Sequence, residues 1–183
     1  MRKTLLLIVL FLGIAGTTIY FQSNKANASI PVKVVDKADN PFDIKLEIEK
    51  VSDNEYELAA TIELEKGSYV ISPYSEDDIY LHFEIAIPKN DYLTTGDKLT
   101  EIPVSIPEID PILNIPVRFV RGTTTYKQKI KVNTSEDFEV SGLVEFLVEP
   151  SCIPYDVEFT AAFNSGILKV KKTKTYISKE YKL

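Results

Sequence analysis

The chain has 183 residues and a formal net charge of −6, and 44% of its residues are hydrophobic. This length and apolar content suit one folded domain and exclude a disordered chain. The acidic residues are spread through the sequence, which argues against a nucleic-acid surface, because such a surface needs a basic face to neutralise phosphates.

Residues 1–28 have the features of an export signal. The start is basic, residues 4–21 form a nearly unbroken apolar run, and Ala26-Asn27-Ala28 places small residues where a signal peptidase reads them. We therefore expect cleavage after Ala28 and one exported domain, periplasmic or extracellular, over residues 29–183. The alternative is an uncleaved membrane anchor, since the run is near the shortest length that spans a bilayer.

Most of the remaining chain alternates apolar and polar residues with the period of two that is typical of β-strands. Residues 42–49 and 56–64 alternate on either side of Ser52-Asp53-Asn54, which predicts an antiparallel hairpin. The same alternation marks further segments at residues 81–87, 126–132, 144–148 and 157–163. Shorter strands are expected at residues 30–35, 68–71, 117–120 and 167–170. Eight or so short strands without sustained helical spacing predict an all-β antiparallel sandwich.

Two stretches depart from this alternation. Residues 102–116 carry four prolines, and because proline lacks a backbone N–H, we expect an ordered surface crossing rather than a central strand. The lysine-rich end at residues 169–182 is expected to be either a polar tail or an edge strand that lysine keeps soluble.

The stretch from Gly142 to Phe163 is a strand, a sharp turn and a strand, and it holds the chain's only cysteine. Cys152 lies between the two prolines of the turn Glu149-Pro150-Ser151-Cys152-Ile153-Pro154. A single cysteine cannot form an internal disulfide. It is therefore either a free or intermolecular thiol, or a small buried hydrophobic residue, and the residues alone leave both interpretations open.

Four motifs occur in a fixed order: Glu55–Leu58, Gly67–Ile71, Phe119–Gly122, and the V-x-G-x-V-x-F run Val140–Phe146 that leads to Cys152 and Pro154. In this order they resemble the amino-terminal periplasmic domain of the thiol:disulfide interchange protein DsbD. The resemblance covers most of the chain after the leader. It implies an immunoglobulin-like sandwich that passes electrons between a membrane reductase and periplasmic partners.

The family carries two cysteines at this turn, whereas this chain has one. By the resemblance, Cys152 matches the second cysteine and Glu149 falls near the first. Disulfide exchange by the family route needs a second thiol to resolve the mixed disulfide, and a nearby carboxylate disfavours a thiolate. The resemblance therefore implies a retained fold without dithiol chemistry. It also implies that Phe119–Gly122 is a cap loop that covers Cys152.

The sequence thus favours an exported protein-binding module that is redox-inactive as a dithiol and uses no cofactor. Its expected partner is another envelope protein, such as a thioredoxin-like protein or a membrane thiol reductase. Sheet edges are further places where a partner strand can pair. The surface expected to bind consists of the cap loop and the turn: Phe119, Val120, Arg121, Gly122, Glu149, Pro150, Ser151, Ile153 and Pro154.

Two alternatives stay open. In the first, Cys152 is a catalytic residue that exchanges disulfides with a partner supplying the resolving thiol. In the second, the chain is a structural subunit of a surface assembly. A membrane contact is expected only if the leader is uncleaved.

Other chemistry-bearing residues are given structural interpretations. His82 lies between Leu81 and Phe83 and is expected to face solvent or the second surface of its sheet. Glu76-Asp77-Asp78 is expected to be a solvated acidic loop, because its spacing does not match a calcium-binding loop. No metal site is predicted.

Overall fold

The computed structural model describes residues 40–178, and the regular secondary structure of this part is entirely β-strand. Within these residues, no helix is long and apolar enough to cross a bilayer. The strands are β1 Phe42–Lys50, β2 Glu55–Leu64, β3 Val70–Ile71, β4 Glu84–Ala86, β5 Leu93–Thr95, β6 Thr100–Ile102, β7 Glu108–Ile109, β8 Pro116–Val117, β9 Phe119–Val120, β10 Thr123–Val132, β11 Phe138–Val148, β12 Ile153–Asn164 and β13 Ile167–Ile177.

Two antiparallel sheets contain most of these strands. The first has the order β1-β2-β10, with β5 and β6 both paired to the far side of β10. The second has the order β13-β12-β11-β4. Strands β3 and β9 form one small pair, and β7 and β8 form another. The all-β antiparallel fold predicted from the sequence is confirmed.

The facing surfaces of the two sheets share one hydrophobic core. Phe42 of the first sheet meets Phe146 of the second edge-on, with ring centroids 4.8 Å apart. The Phe83 ring, just before β4, stacks on Tyr126 of β10 at 3.8 Å. Aromatic rings thus fill much of the space between the layers, and such contacts stabilise a core beyond their buried area.

The two sides of this sandwich differ. On one side β1 packs against β13, and Lys172 Nζ donates a hydrogen bond to the Ile44 carbonyl at 3.0 Å. On the other side, β4 ends one sheet, and β5 and β6 end the other. One side is therefore closed by strand packing, while the opposite side is bounded by three short edge strands.

The alternation read from the sequence sets the registers. In the predicted first hairpin, Phe42 pairs with Leu64 and Lys50 with Tyr56, which confirms it. Along β10 the apolar positions and Gln128 are buried, while the lysines between them are partly or fully exposed. These patterns follow from the opposite directions of successive strand side chains.

Several predicted bounds were wrong. The last strand runs from Ile167 to Ile177 rather than ending at residue 170, because the long strand β12 offers a pairing edge along its whole length. In residues 81–87 only Glu84–Ala86 is a strand, since β11 pairs with it over only three residues. The predicted leader at residues 1–28 and the strand at 30–35 lie outside the described residues.

Gly142 is fixed by its cross-strand neighbour. It pairs with Phe159, whose ring lies across the position that a side chain would occupy. A Cβ atom at residue 142 would come within 2.4 Å of Phe159 Cζ. The glycine of the V-x-G-x-V-x-F run is therefore a packing requirement of the core.

Candidate functional site

The turn between β11 and β12 holds Cys152 at its tip. The last strand pair is Val148 with Ile153, and the Glu149–Pro150 peptide bond is cis. Cys152 has a φ of 52°, in the left-handed region that residues with a side chain seldom adopt. Ser151 Oγ donates a hydrogen bond to the Val148 carbonyl at 3.0 Å. The turn is thus held by local bonds, and Cys152 is exposed at its tip.

Cys152 is exposed, so the expected cover over the thiol is wrong. Phe119 and Val120 of the expected cap loop pair instead with β3, where Val120 lies opposite Val70. Tyr69 stands between this segment and the turn. Its backbone exchanges hydrogen bonds with Glu149, at 3.0 and 2.9 Å, while its ring meets the Phe119 ring edge-on at 5.0 Å. The predicted cap is therefore a neighbour of the turn rather than a lid.

The thiol of Cys152 donates to Glu149 Oε2 over 3.2 Å. Glu149 is only 6% exposed, so its carboxylate has few alternative partners in water. This hydrogen bond, followed by partial burial and by the negative charge of Glu149, raises the pKa of the Cys152 thiol. The group therefore carries less thiolate at neutral pH than an ordinary cysteine, and it is a weaker nucleophile.

Beside the turn, the Arg121 guanidinium lies over two aromatic rings. Its central carbon is 5.5 Å from the Tyr69 ring centroid and 5.2 Å from that of Phe119. Both of its terminal nitrogens also reach the Glu108 carboxylate, at 2.5 and 3.2 Å. Burial, followed by the charges of Glu149 and Asp110, raises the pKa of Tyr69. These groups form one ordered polar and aromatic cluster.

The pair β7–β8 lies next to this cluster and presents apolar side chains to solvent. The Tyr80 hydroxyl donates to Asp110 Oδ2 at 2.9 Å, and burial together with this bond raises the pKa of Tyr80 to about 12. The backbone N–H of Leu113 donates a hydrogen bond to the Asp110 carboxylate, and this bond is the main cause that lowers the pKa of Asp110. The exposed apolar residues are Ile102, Val104, Ile106, Ile109, Ile112 and Leu113.

We call this region the docking end: the aromatic and arginine cluster of Tyr69, Phe119 and Arg121, the turn at residues 149–154, and the exposed apolar segment at residues 102–113. The turn and Phe119–Gly122 are predicted from the sequence as binding residues. Tyr69 and the exposed isoleucines are not. The sequence nevertheless indicates that these isoleucines are exposed. They are interspersed with prolines, which disfavour a central strand, so their side chains are not expected to be buried between sheets.

The other candidate residues form a separate small network. Asp77 has a side chain that is only 1% exposed, so the prediction of a solvated loop is wrong for this residue. It accepts hydrogen bonds from Ser75 Oγ at 2.5 Å and from the Tyr80 N–H at 3.0 Å. His82 Nε2 lies 3.4 Å from Asp77 Oδ2. No cluster suited to a metal ion occurs within residues 40–178.

Comparisons of the chain with protein-family models, with curated proteins and with solved structures gave no match. The resemblance to the DsbD domain therefore stays a prediction. The function has to be inferred from the docking end itself.

Proposed function

We propose that this chain is an exported protein-binding module of the cell envelope whose partner contacts the docking end. Cys152 takes no part in two-cysteine chemistry. The observation that carries the proposal is the exposed apolar segment beside an ordered aromatic and arginine cluster. Rigid sandwiches commonly present binding residues on loops in this way.

The apolar segment supports the proposal through its exposure. Ile112 is 87% exposed and Ile106 is 72% exposed. Both belong to the proline-rich segment at residues 102–113. Single exposed apolar residues are ordinary, but six of them within residues 102–113 favour an interaction surface. A partner that covers these side chains gains the free energy of removing them from water.

The cluster around Arg121 supports the proposal through its chemistry. Tyrosine and arginine are enriched among residues that contribute most to protein–protein affinity. Here the guanidinium is already oriented by two rings and by Glu108. A partner therefore meets an arginine that loses little conformational freedom on binding.

Glu149 supports the absence of dithiol chemistry. Its carboxylate accepts the thiol hydrogen at 3.2 Å and opposes formation of the thiolate. The chain also has only one cysteine, so an intramolecular disulfide cannot form. The turn is then better suited to shape recognition than to electron transfer.

The proposal is tested by capture of partners from an envelope extract on the immobilised chain. The double variant Ile109→Asp/Ile112→Asp places charges on the apolar segment and is expected to lower the capture of a specific protein by at least about tenfold. Ile167→Asp is the matched control, because Ile167 is also exposed but is the first residue of β13, outside the docking end. Equal capture by the double variant and the unmodified chain would show that the partner does not contact the apolar segment.

A second candidate function is favoured by the exposure of Cys152: single-thiol exchange. Cys152 held in a mixed disulfide with a small thiol would be reduced by a partner dithiol. The first partner thiolate forms a disulfide with Cys152 and expels the small thiol. The second then forms the partner's own disulfide and releases the Cys152 thiol, so one partner dithiol is oxidised for each mixed disulfide reduced.

Mass spectrometry of the chain isolated after rapid alkylation distinguishes the two functions. The binding proposal predicts Cys152 mainly as the alkylated free thiol. A recurrent disulfide adduct at Cys152, absent from the Cys152→Ser variant, would favour exchange instead.

A further inference from the structure

A cleft of about 680 Å³ opens on the side of the sandwich that is bounded by the edge strands. Its walls come from both sheets. Residues 84–88 contribute one wall, residues 95–97 the opposite wall, and residues 141–143 of β11 part of the floor. None of these residues belongs to the docking end.

The lining follows the edge of a sheet rather than one of its faces. Successive residues of a strand point to opposite faces, so a cavity on one face is lined by every second residue. Here five consecutive residues, 84–88, line the cleft. The backbone edge of β4 therefore faces the cleft. The edge of β11 continues along the cleft beyond β4, because the two strands pair only over Leu143–Glu145 of β11.

Gln128 places a buried amide at the same cleft. It occupies an inward-facing position of β10 and is only 7% exposed. Its Oε1 has no hydrogen-bond partner within the described part of the chain, and its Nε2 reaches the Gly96 carbonyl only at 3.5 Å. A buried acceptor without a donor costs about 1–3 kcal/mol. Because Oε1 is covered, an entering donor has to turn the amide to reach it.

The charged residues that line the cleft are all acidic: Glu84, Asp97 and Glu158. Lys174 lies opposite Glu158 in the register of β12 and β13, and its Nζ lies 5.6 Å from the ring centroid of Tyr176, which also lines the cleft. The remaining lining includes apolar side chains such as Ile87 and Leu143. An occupant that fits this surface offers backbone N–H donors, apolar side chains and positive charge.

We propose that the cleft binds an extended, basic peptide segment of another protein, which pairs with the free edge of β4. Its backbone forms the hydrogen bonds that β4 leaves open on this side, and strand addition is a common mode of peptide recognition. Its lysine or arginine side chains lie near Glu84 and Asp97. Its alternate, apolar side chains lie on Ile87, which packs against the core on the face opposite to Glu84.

The test uses the full chain and an acetylated, amidated peptide of alternating lysine and valine. Binding is measured by isothermal titration calorimetry and by shifts of backbone and side-chain amide NMR signals. We expect saturable binding below about 1 mM, with shifts at Glu84–Ala86, Gly96 and the Gln128 side-chain amide. Absence of binding, or shifts confined to other residues, overturns the proposal.

Two control peptides separate edge pairing from simple charge attraction. N-methylation of alternate backbone nitrogens removes the pairing donors but keeps the charge, and it is expected to weaken binding at least about tenfold. Replacement of lysine by glutamate is expected to abolish binding. Equal affinity of the N-methylated peptides would show attraction without strand pairing and would contradict the proposal.

Variants of the chain complete the test. Asp97→Lys is expected to weaken the lysine–valine peptide by about fivefold or more, whereas Glu63→Lys, an equal charge change on β2, is expected to alter it by less than about twofold. Equal effects of the two variants contradict a local site. A dimer of the chain that the peptide dissociates would assign the cleft to a second copy and would likewise overturn the proposal.

Discussion

Cys152 donates its thiol hydrogen to the Glu149 carboxylate, whose negative charge opposes a thiolate only 3.2 Å away. The raised thiol pKa has a simple consequence. At any pH below that pKa the thiolate fraction is smaller than for an unperturbed cysteine, and the whole curve of reactivity against pH moves to higher pH. Exposure and low reactivity are thus combined in one side chain.

Glu149→Gln is expected to move that curve back to lower pH. The substitution removes the negative charge and lets an amide N–H donate to the thiolate, so the rate of alkylation near neutral pH should rise roughly three- to tenfold. The measurement is the rate of reaction with iodoacetamide as a function of pH. Glu139→Gln, at an exposed position of β11, is the matched control and should leave the rate unchanged. An unchanged or slower rate in Glu149→Gln would refute the role given to this carboxylate.

Gly142 provides a second test at a single residue. Gly142→Ala places a methyl group against the fully buried Phe159 ring, and such overpacking is expected to lower the free energy of unfolding by about 1–3 kcal/mol. Urea denaturation measures the change. Ser141→Ala, at the exposed neighbouring position, should stay within about 0.5 kcal/mol of the unmodified chain. Equal stability of both variants would mean that the ring moves aside without cost.

At the scale of elements, the β7–β8 pair and its connecting turn have one exposed and one buried side. Ile109 of β7 and Ile112 of the turn are exposed and make little use of the hydrophobic effect in the free chain, while Val117 of β8 is fully buried. We expect Ile112→Asp to change the free energy of unfolding by less than about 0.5 kcal/mol. Val117→Ala is expected to cost on the order of 2 kcal/mol. Thermal and urea unfolding measure both, and a large loss in Ile112→Asp would show that this side chain supports the fold.

The long strands with strict alternation were predictable because each pairs with a long neighbour, whereas the alternating residues 81–87 pair with β11 over only three residues. Residues 42–49 and 56–64 are an example, and their register follows from which residues are apolar. The short strands were less predictable, because pairs such as Val70–Ile71 with Phe119–Val120 depend on tertiary contacts. The length of β13 was not predicted, because its many lysines interrupt the apolar–polar alternation that would have indicated a strand paired with β12.

The candidate site was predictable in its parts but not in its arrangement. Proline and cysteine indicate the turn at residues 149–154, and glycine indicates the loop at residues 119–122. The placement of Tyr69 between them was hidden, because it depends on an isolated backbone bridge between Tyr69 and Glu149. Phe119 and Val120 pair with β3, which directly follows Tyr69. Cys152 is exposed, whereas the family resemblance implied a covered one.

For the whole molecule, residues 40–178 carry two different candidate surfaces. The docking end combines exposed isoleucines with an oriented arginine, whereas the cleft at the edge strands is acidic and lined by backbone. The chain carries a net charge of −6. Apolar contacts and local charge pairs, rather than a general basic field, would therefore select the partners.

The central claim is that the docking end binds by shape and apolar contact, independently of thiol chemistry. Its most direct test is the affinity of the captured envelope protein for the unmodified chain and for Cys152→Ser, measured by calorimetry with and without reductant. The account predicts dissociation constants that agree within about threefold in all four measurements. Binding that disappears in Cys152→Ser, or that reductant abolishes only in the unmodified chain, would contradict it.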